Sequence, residues 1–318
     1  MSAKSARPTY DADQISKYLK HISLPEDSKD LFHAPGKLHH CNNALKFLTQ
    51  LQRHQIATVP FENLSLHYSR DHTISLDPGY LFNKVVDRGH GGYCMENNCF
   101  FGTVLRSLGF NVFSAGARVN TGANGTGEDR WEGWSHMVNI VTLSSGQKYM
   151  LDVGFGGNGP IQPLLLNPSA APTQHIAPAE ARLVHENIPH NTDPNQKLWQ
   201  YQHRIDPQSE WQTMYCFTEL EFLPKDYEVM NFWTSQSRKS WFTYSVVAVK
   251  MILEGEDVVG TLVLSGGDVK RRVQGKTEHL RTCKTEEERV QALRDVFGLR
   301  LTDEERRGIG GMVTELKE

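Results

Sequence analysis

The chain has 318 residues, of which 38% are hydrophobic and 22% are charged. This composition is too apolar for a disordered chain and too polar for a membrane protein. Its 37 acidic and 34 basic residues give a net charge of -3, and no basic block could neutralise a run of phosphates. We therefore expect a soluble globular protein that does not bind nucleic acid.

The N-terminal residues and the cysteine content also favour a soluble protein. Residues 1–13 are polar and lack the apolar core of a signal peptide, and the most apolar later stretch, 245–253, is interrupted by Lys250. The five cysteines are odd in number and unevenly spaced, which fits reduced thiols better than a disulfide framework. We expect a cytoplasmic protein with no membrane partner.

The N-terminal region is predicted to be helical. Asp11 and Gln14 resemble a capping box ahead of a first helix. The apolar face of that helix consists of Ile15, Tyr18, Leu19 and Ile22. A second stripe begins at Leu38 and continues toward Ile56 before Pro60 stops it. A third helix is predicted from about Cys94 to Gly109.

From residue 111 the apolar period changes to two, which predicts an antiparallel sheet or barrel. The strand candidates are 112–119, 136–143, 148–153, 198–204 and 211–222. Residues 156–195 are rich in Pro, Gly and Asn, which favours a loop with one short strand at 182–185. The segments predicted after residue 222 are strands at 243–253 and 257–264 and a helix at 285–297, capped by Thr285 and Glu288 and ended by Gly298.

Two glycine motifs suggest phosphate binding but lack its context. The stretch Gly154–Gly159 satisfies G-x-G-x-x-G after a strand, yet the prolines that follow at 160 and 163 cannot open the helix that would hold a pyrophosphate. The sequence Gly275-Lys276-Thr277 resembles the end of a phosphate loop, but Lys270 stands where its first glycine is required. Neither motif supports a nucleotide site.

A metal site is also disfavoured. The adjacent residues His39, His40 and Cys41 would point in different directions on a helix, and no second ligand pair follows at zinc-like spacing. We therefore expect no metal.

The segment Arg88-Gly-His-Gly-Gly-Tyr-Cys94-Met-Glu-Asn-Asn98 carries the strongest chemical signal. A lone cysteine is usually a small core residue. Here, however, two glycines permit a close backbone approach, and a helix that begins at Cys94 directs its positive end at the sulfur, which favours a nucleophilic thiolate. Cys99, inside the helix, has no such setting and is predicted to be structural.

A thiolate nucleophile needs a base that is oriented by a third group. His136 and Asp152 lie on two strand candidates joined by a turn at 144–146. An odd-length loop would place them opposite or one diagonal step apart on the same face, whereas an even-length loop would place them on opposite faces. The sequence leaves this open, and a sheet-edge histidine with a turn-side aspartate is the alternative.

Together these residues resemble the arylamine N-acetyltransferase family. The resemblance rests on the Cys94 segment, on Trp-Ser-His136-Met-Val, on Leu-Asp152-Val-Gly-Phe-Gly and on Val59-Pro-Phe-Glu-Asn-Leu64, in the family's order. It runs from about residue 38 to 234 and more loosely to the end. The family usually has Arg directly before Gly-Gly-aromatic-Cys, whereas this chain has His90 there and Arg88 two residues earlier.

The resemblance implies an α+β fold with a cysteine-protease-like core. It predicts an N-terminal helical bundle at residues 1–110 with the catalytic Cys94, a central antiparallel β-barrel at 111–222 with His136 and Asp152, and a C-terminal α/β lid at 223–318. The independent order of helices and strands agrees with these three parts.

The resemblance also implies a two-step acyl transfer through a Cys94 thioester. The donor would be acetyl-CoA, or another acyl-CoA such as malonyl-CoA, and the acceptor an aromatic amine, hydrazine or hydroxylamine. Phe61 and Phe155 would line the acceptor pocket, and Gly133, Thr234 and Ser235 would contact coenzyme A. The alternatives are a papain-like or transglutaminase-like hydrolase and a non-enzymatic interaction protein.

Overall fold

The structure is a computed structural model that describes residues 7–29, 44–124 and 129–317. Helices predominate before residue 110, and two antiparallel sheets follow. The helices are α1 (Ala12–His21), α2 (Glu26–Lys29), α3 (Ala44–Thr58), α4 (Ser65–Tyr68), α5 (Pro78–Phe82), α6 (Cys94–Ser107), α7 (Pro224–Gln236), α8 (Glu286–Ala292) and α9 (Asp303–Gly308). Short π-helical turns, Asn83–Asp87 and Leu293–Phe297, continue α5 and α8.

The capping signals of the sequence are present at α1. The Asp11 carboxylate accepts a hydrogen bond from the Gln14 amide at 2.8 Å, and the Gln14 side chain accepts one from the Asp11 amide at 3.0 Å. The predicted capping box is therefore confirmed. The predicted start of the second helix at Leu38 and the residues His39, His40 and Cys41 lie outside the described residues, and α3 is described from Ala44.

The predicted ends of α6 and α8 are also observed. A left-handed Gly109 (φ 86°) follows α6, and a left-handed Gly298 (φ 78°) ends the turn after α8. Thr285 accepts from the Glu288 amide at 3.3 Å, but the Glu288 carboxylate accepts from the amide of Lys284 instead of that of Thr285. The predicted capping box of α8 is therefore only half formed.

The first sheet has eight antiparallel strands in the order β5-β4-β3-β2-β9-β8-β7-β6. These are β2 (Asn111–Val119), β3 (His136–Thr142), β4 (Lys148–Leu151), β5 (Leu164–Leu165), β6 (Thr173–Gln174), β7 (Glu180–Glu186), β8 (Leu198–Arg204) and β9 (Gln212–Glu221). The sheet curls so that β5 contacts β7. The prediction of one short strand within 156–195 was incomplete, because β5 and β6 have only two residues each and show no alternation.

The second sheet has the order β1-β10-β11-β12-β13. Its strands are β1 (Phe61–Glu62), β10 (Val247–Glu254), β11 (Asp257–Ser265), β12 (Asp268–Val273) and β13 (Lys276–Thr282). Two of these strands and one helix, β12, β13 and α7, were missed in the sequence. Every residue of β13 is exposed, and α7 leaves Val229, Phe232 and Trp233 exposed, so neither has the one-sided apolar pattern that reveals an element.

Helix α6 lies where the parts of the fold meet. It packs on β2 and β3, α3 packs on β10, and β1 carries residues from the helical region into the second sheet. The start of α6 therefore faces both sheets. The domain boundaries at residues 110 and 222 stay predictions.

Among the described residues, no helix has the length and apolar character needed to cross a bilayer.

Candidate active site

Cys94 is the first residue of the 14-residue helix α6. Its side chain is 5% exposed, and the thiol donates to the carbonyl oxygen of Ser135 at 3.5 Å. Tyr93 before it is extended, and its amide donates to the Glu96 carboxylate at 3.0 Å. The sulfur thus lies at the positive end of a helix, which favours a negative charge on it.

His136 and Asp152 are brought together by the β3–β4 hairpin. The pair Thr142 and Lys148 closes a five-residue loop, so the loop length is odd. Continuing the register places Asp152 one diagonal step from His136 on the same face. His136 Nε2 and Asp152 Oδ2 are 2.8 Å apart, and both side chains are buried.

The charges of this pair stabilise each other. Burial lowers the pKa of His136, but the Asp152 carboxylate outweighs burial and, with a smaller contribution from Cys94, raises that pKa to about 10. Burial would raise the pKa of Asp152, yet His136 and the hydrogen bonds from Asn98 and Gly154 hold it below its usual value. The imidazole is therefore charged near neutral pH, and its Nδ1 is left for the sulfur.

Asn98 supports this arrangement and was missed as a site residue. Its amide donates to Asp152 Oδ1 at 2.8 Å and to the carbonyl oxygen of Met137 at 2.7 Å. Its own side-chain oxygen accepts from the amide of Val153 at 3.0 Å. Four residues after Cys94 on a helix, Asn98 lies on the same face, and that spacing was the available signal.

The first glycine of the G-x-G-x-x-G stretch, Gly154, is required by close packing and not by phosphate binding. A Cβ at this position would lie 2.7 Å from Cys94 Cα and 2.8 Å from the Cys94 carbonyl oxygen. Only glycine permits this approach. The loop after β4 therefore packs against the start of α6, and the segment that follows it is irregular instead of helical.

A buried ion cluster lies beneath the nucleophile. Lys84 Nζ is 2.7 Å from Glu96 Oε1 and 3.3 Å from Glu62 Oε1, and all three side chains are buried. Burial raises the pKa of Glu96, and although Lys84 opposes this, the net pKa is about 7. His90, which stands where the family usually has Arg, is buried and bonds the carbonyl oxygen of Arg300 at 2.9 Å.

A cavity of about 960 Å³ opens above the triad. Its lining includes Cys94, His136, Phe61, Phe155 and Thr234. The ring centroid of Phe155 lies 5.3 Å from that of His136. Aromatic walls therefore flank the reactive groups.

Two residues that were predicted to contact coenzyme A, Gly133 and Ser235, do not line this cavity. Ser235 faces a second cavity of about 760 Å³, and Gly133 is exposed and does not line the first one. Cys99 lines the second cavity, and burial raises the pKa of its thiol to about 11, which fits its predicted structural role. Within the described residues, no group of three His, Cys, Asp or Glu side chains could hold a metal ion.

Comparison with known proteins identifies the class of enzyme. A family model described as N-acetyltransferase matches residues 44–306. The arylamine N-acetyltransferase of Salmonella typhimurium superposes with a TM-score of 0.75 at 25% identity, covering 94% of this chain and 98% of that one. The enzyme of Mycobacterium marinum, solved in complex with CoA, superposes with a TM-score of 0.74 at 25% identity, covering 95% of this chain and 99% of that one.

The chain therefore belongs to the arylamine N-acetyltransferase family, and it is an acyltransferase of that family. A more similar relative by sequence bears a different activity in its name. An N-malonyltransferase of Fusarium pseudograminearum is 40% identical over 320 aligned residues, covering 95% of this chain and 93% of that protein.

Proposed function

We propose that this protein transfers an acyl group from an acyl-CoA to the nitrogen of an aromatic amine, hydrazine or hydroxylamine through a thioester on Cys94. The observation that carries the proposal is the buried arrangement of Cys94, His136 and Asp152 at the floor of a large cavity. A structural cysteine requires neither a charged imidazole beside it nor a cavity above it.

The proposed reaction has two steps. The Cys94 thiolate attacks the thioester carbonyl of the donor, the bond from carbonyl carbon to coenzyme sulfur breaks, and His136 gives a proton to the leaving sulfur. The amine then attacks the acyl-enzyme, His136 accepts its proton, and Cys94 leaves as the thiolate. Asp152 keeps the imidazole oriented and charged, and backbone amides near Cys94 stabilise the oxyanion.

The same cavity supports the proposed substrates. Phe61 and Phe155 offer flat apolar walls for an arene. Thr234 lines the cavity, and its buried hydroxyl has no hydrogen-bond partner among the described residues, which supports Thr234 as a proposed coenzyme A contact. Gly133 and Ser235 remain proposed contacts outside this lining, and the CoA complex of the M. marinum enzyme supports coenzyme A as the carrier.

We propose malonyl-CoA as the preferred donor, with acetyl-CoA as the alternative. The support is comparative, because the N-malonyltransferase shares 40% identity over 95% of the chain, whereas the sequence alignment with the arylamine N-acetyltransferase of Salmonella typhimurium gives 30% identity over 77% of the chain. The four free cysteines among the described residues support the proposed cytoplasmic location.

The test is mass spectrometry of the intact protein after mixing it separately with acetyl-, propionyl- and malonyl-CoA. We expect one acyl adduct per chain on Cys94, formed fastest with malonyl-CoA. The Cys94→Ser variant should form no adduct and lose transfer, because a serine hydroxyl is a poor attacker of a thioester. The Cys99→Ala variant is the matched control and should react normally.

Other outcomes identify the alternatives. Turnover of Cys94→Ser above a tenth of the parent rate would refute the nucleophile assignment. Hydrolysis of peptide amides without any acyl-CoA would indicate a papain-like or transglutaminase-like hydrolase instead.

A further inference from the structure

The cavity above Cys94 has a basic region on the second sheet that the proposed reaction does not use. Arg272, on β12, is half-buried and lines the cavity. Its side chain forms no ion pair or hydrogen bond with any residue in the described part of the chain. Its neighbour Arg271, on the opposite face of the strand, instead pairs with Glu278 at 4.0 Å. The Arg272 guanidinium therefore keeps its N–H donors for a ligand.

Two histidines line the same cavity as Arg272: His203, on β8, and His175, which directly follows β6. His175 and His203 are each 5% exposed, line the same cavity, and have ring centroids 4.8 Å apart. His175 Nε2 bonds the carbonyl oxygen of Gly159 at 2.8 Å. Within the described ranges the His203 ring has no hydrogen-bond partner. A nearly buried, unpartnered imidazole thus faces the cavity next to an unpaired guanidinium.

The electrostatics of the region favour an anion. Burial lowers the pKa of His175 to about 4 and that of His203 to about 3, and the positive charge of Arg272 contributes to both shifts. Both rings are therefore neutral near pH 7, and each carries one N–H group. The N–H of His175 is already donated to the Gly159 carbonyl oxygen, so only His203 has a free N–H group for a ligand. Lys239 and Lys270 also line the cavity, whereas the described lining contains a single carboxylate side chain, Glu132.

We propose that Arg272 and His203, with His175 packed against the His203 ring, form a subsite for a carboxylate group on the acyl-acceptor amine. This inference rests on the proposed function, in which the amine attacks an acyl group on Cys94. The guanidinium is suited to hold a carboxylate through two parallel hydrogen bonds, and His203 supplies a further donor.

The distance along the sheet favours the acceptor over the malonyl group as the source of the carboxylate. Phe61 on β1 packs in the same cluster as Cys94. The register Phe61, Val249, Val263 and Lys270 spans three strand spacings, roughly 14 Å. Arg272 lies two residues, about 7 Å, farther along β12, so it is roughly 16 Å from Phe61. A malonyl carboxylate is one methylene from the thioester carbonyl, whereas an acid group across an arene lies a ring farther away. The longer ligand fits this span better.

The experiment compares 4-aminobenzoate with its neutral isostere 4-aminobenzamide, using acetyl-CoA because its acyl group carries no charge. We expect wild-type kcat/KM to be higher for the acid. Arg272→Gln should lower kcat/KM for 4-aminobenzoate at least tenfold, as for loss of a charge-assisted pair, and change that for 4-aminobenzamide less than twofold. Arg272→Lys should restore part of the loss, since it keeps the charge but not the fork.

Arg271→Gln is the matched control, because it removes the same charge one residue away on the other face of β12. It should leave both amines unaffected, and thermal unfolding should show that all variants fold. Equal losses for acid and amide, or no loss for the acid, would overturn the proposal. A loss confined to Cys94 acylation by malonyl-CoA would assign the carboxylate to the donor and overturn the amine as its source.

Direct binding separates this inference from the proposed function. Calorimetric titration of 4-aminobenzoate into the protein without any donor should show weaker binding to Arg272→Gln than to wild type. If no acyl-CoA modifies Cys94 while this difference persists, the proposed transfer is wrong and the subsite stands. If Cys94 is acylated and the difference is absent, the subsite is wrong.

Discussion

Asp152 is the residue that fixes the charge state of the proposed catalytic histidine. Its carboxylate is fully enclosed, lies 2.8 Å from His136 Nε2, and is held by Asn98 and by the Gly154 amide. Since Asp152 is the main cause of the raised pKa of His136, the imidazolium depends on it. The pair is best regarded as one unit whose members cannot be exchanged singly.

Asp152→Asn should fold and lose most of its activity, by about a hundredfold or more, because the amide neither stabilises the imidazolium nor fixes the tautomer. The pKa of His136 should fall, so the imidazolium and the thiolate it stabilises should be lost. Alkylation of Cys94 by iodoacetamide at pH 6 should therefore slow markedly relative to wild type. A folded variant with near-normal alkylation and turnover would contradict the assigned role of Asp152.

Lys84 is a second residue whose charge is held in the interior. It lies between Glu62 and Glu96 and neutralises one of their two charges. Lys84 supplies the buried positive charge of this region, while the nearby His90 bonds the main-chain carbonyl oxygen of Arg300. Removing it leaves two buried carboxyls without a cation.

Lys84→Met should destabilise the fold by about 3–5 kcal/mol, the usual cost of breaking a buried pair. Without Lys84 both carboxyls resist ionisation, so the pKa of Glu62, which Lys84 holds below its usual value, rises above that of the unfolded chain, and the raised pKa of Glu96 rises further. Stability is then fully retained at low pH and lost as the pH rises through the range where the unfolded carboxyls ionise. Thermal unfolding at pH 5 and pH 8 should show the larger deficit at pH 8, and a smaller deficit at pH 8 would contradict this account.

The β3–β4 hairpin and the start of α6 are the elements that assemble the site. The hairpin sets which face His136 and Asp152 share, and the loop after β4 packs Gly154 against the Cys94 backbone. Neither arrangement can adjust freely. The hairpin is fixed by its strand register, and the loop after β4 is fixed by the close approach of two main-chain segments. The position of the nucleophile relative to its base therefore depends on this glycine.

Gly154→Ala should impair activity strongly, because the new Cβ would lie 2.7 Å from Cys94 Cα and force α6 and β4 apart. A loss of one to two orders of magnitude in kcat/KM is expected for such a displacement, by about the factor known for a 1 Å misplacement. Gly79→Ala is the control, since its Cβ would meet only the Asp77 side chain, at 3.2 Å. Equal activity of the two variants would show that the close approach does not position Cys94.

At the scale of the whole molecule, one cavity serves both proposed half-reactions. The second sheet, the open end of the curled sheet and the segment after α7 all contribute to its lining, and Cys94 lies at its floor. Among the described residues that line it, Cys94 is the single cysteine. Donor and acceptor should therefore occupy the space above Cys94 in turn.

The kinetics should accordingly be ping-pong. Double-reciprocal plots at several fixed amine concentrations should be parallel, and acyl-enzyme should accumulate stoichiometrically when the amine is omitted. Thr234→Trp should raise the KM of the donor and spare the amine half-reaction, because only coenzyme A is expected at that wall. Intersecting lines with no adduct on Cys94 would indicate direct transfer in a ternary complex.

The sequence by itself predicted Cys94 as a nucleophile with His136 and Asp152 as its partners, and it revealed the helices and strands with a regular apolar pattern. Cys94 was recognisable because its glycines and its helix start are local features, and the long strands were recognisable because one face of each is buried. Only the tertiary structure decided the odd loop of the β3–β4 hairpin, the strands β12 and β13, the helix α7, and the roles of Asn98 and Lys84. These depend on contacts between residues far apart in the chain or lie on exposed segments, and neither leaves a periodic trace in the sequence. The basic region at Arg272 is another feature that only the tertiary structure decided, because it exists only where the second sheet meets the end of the first.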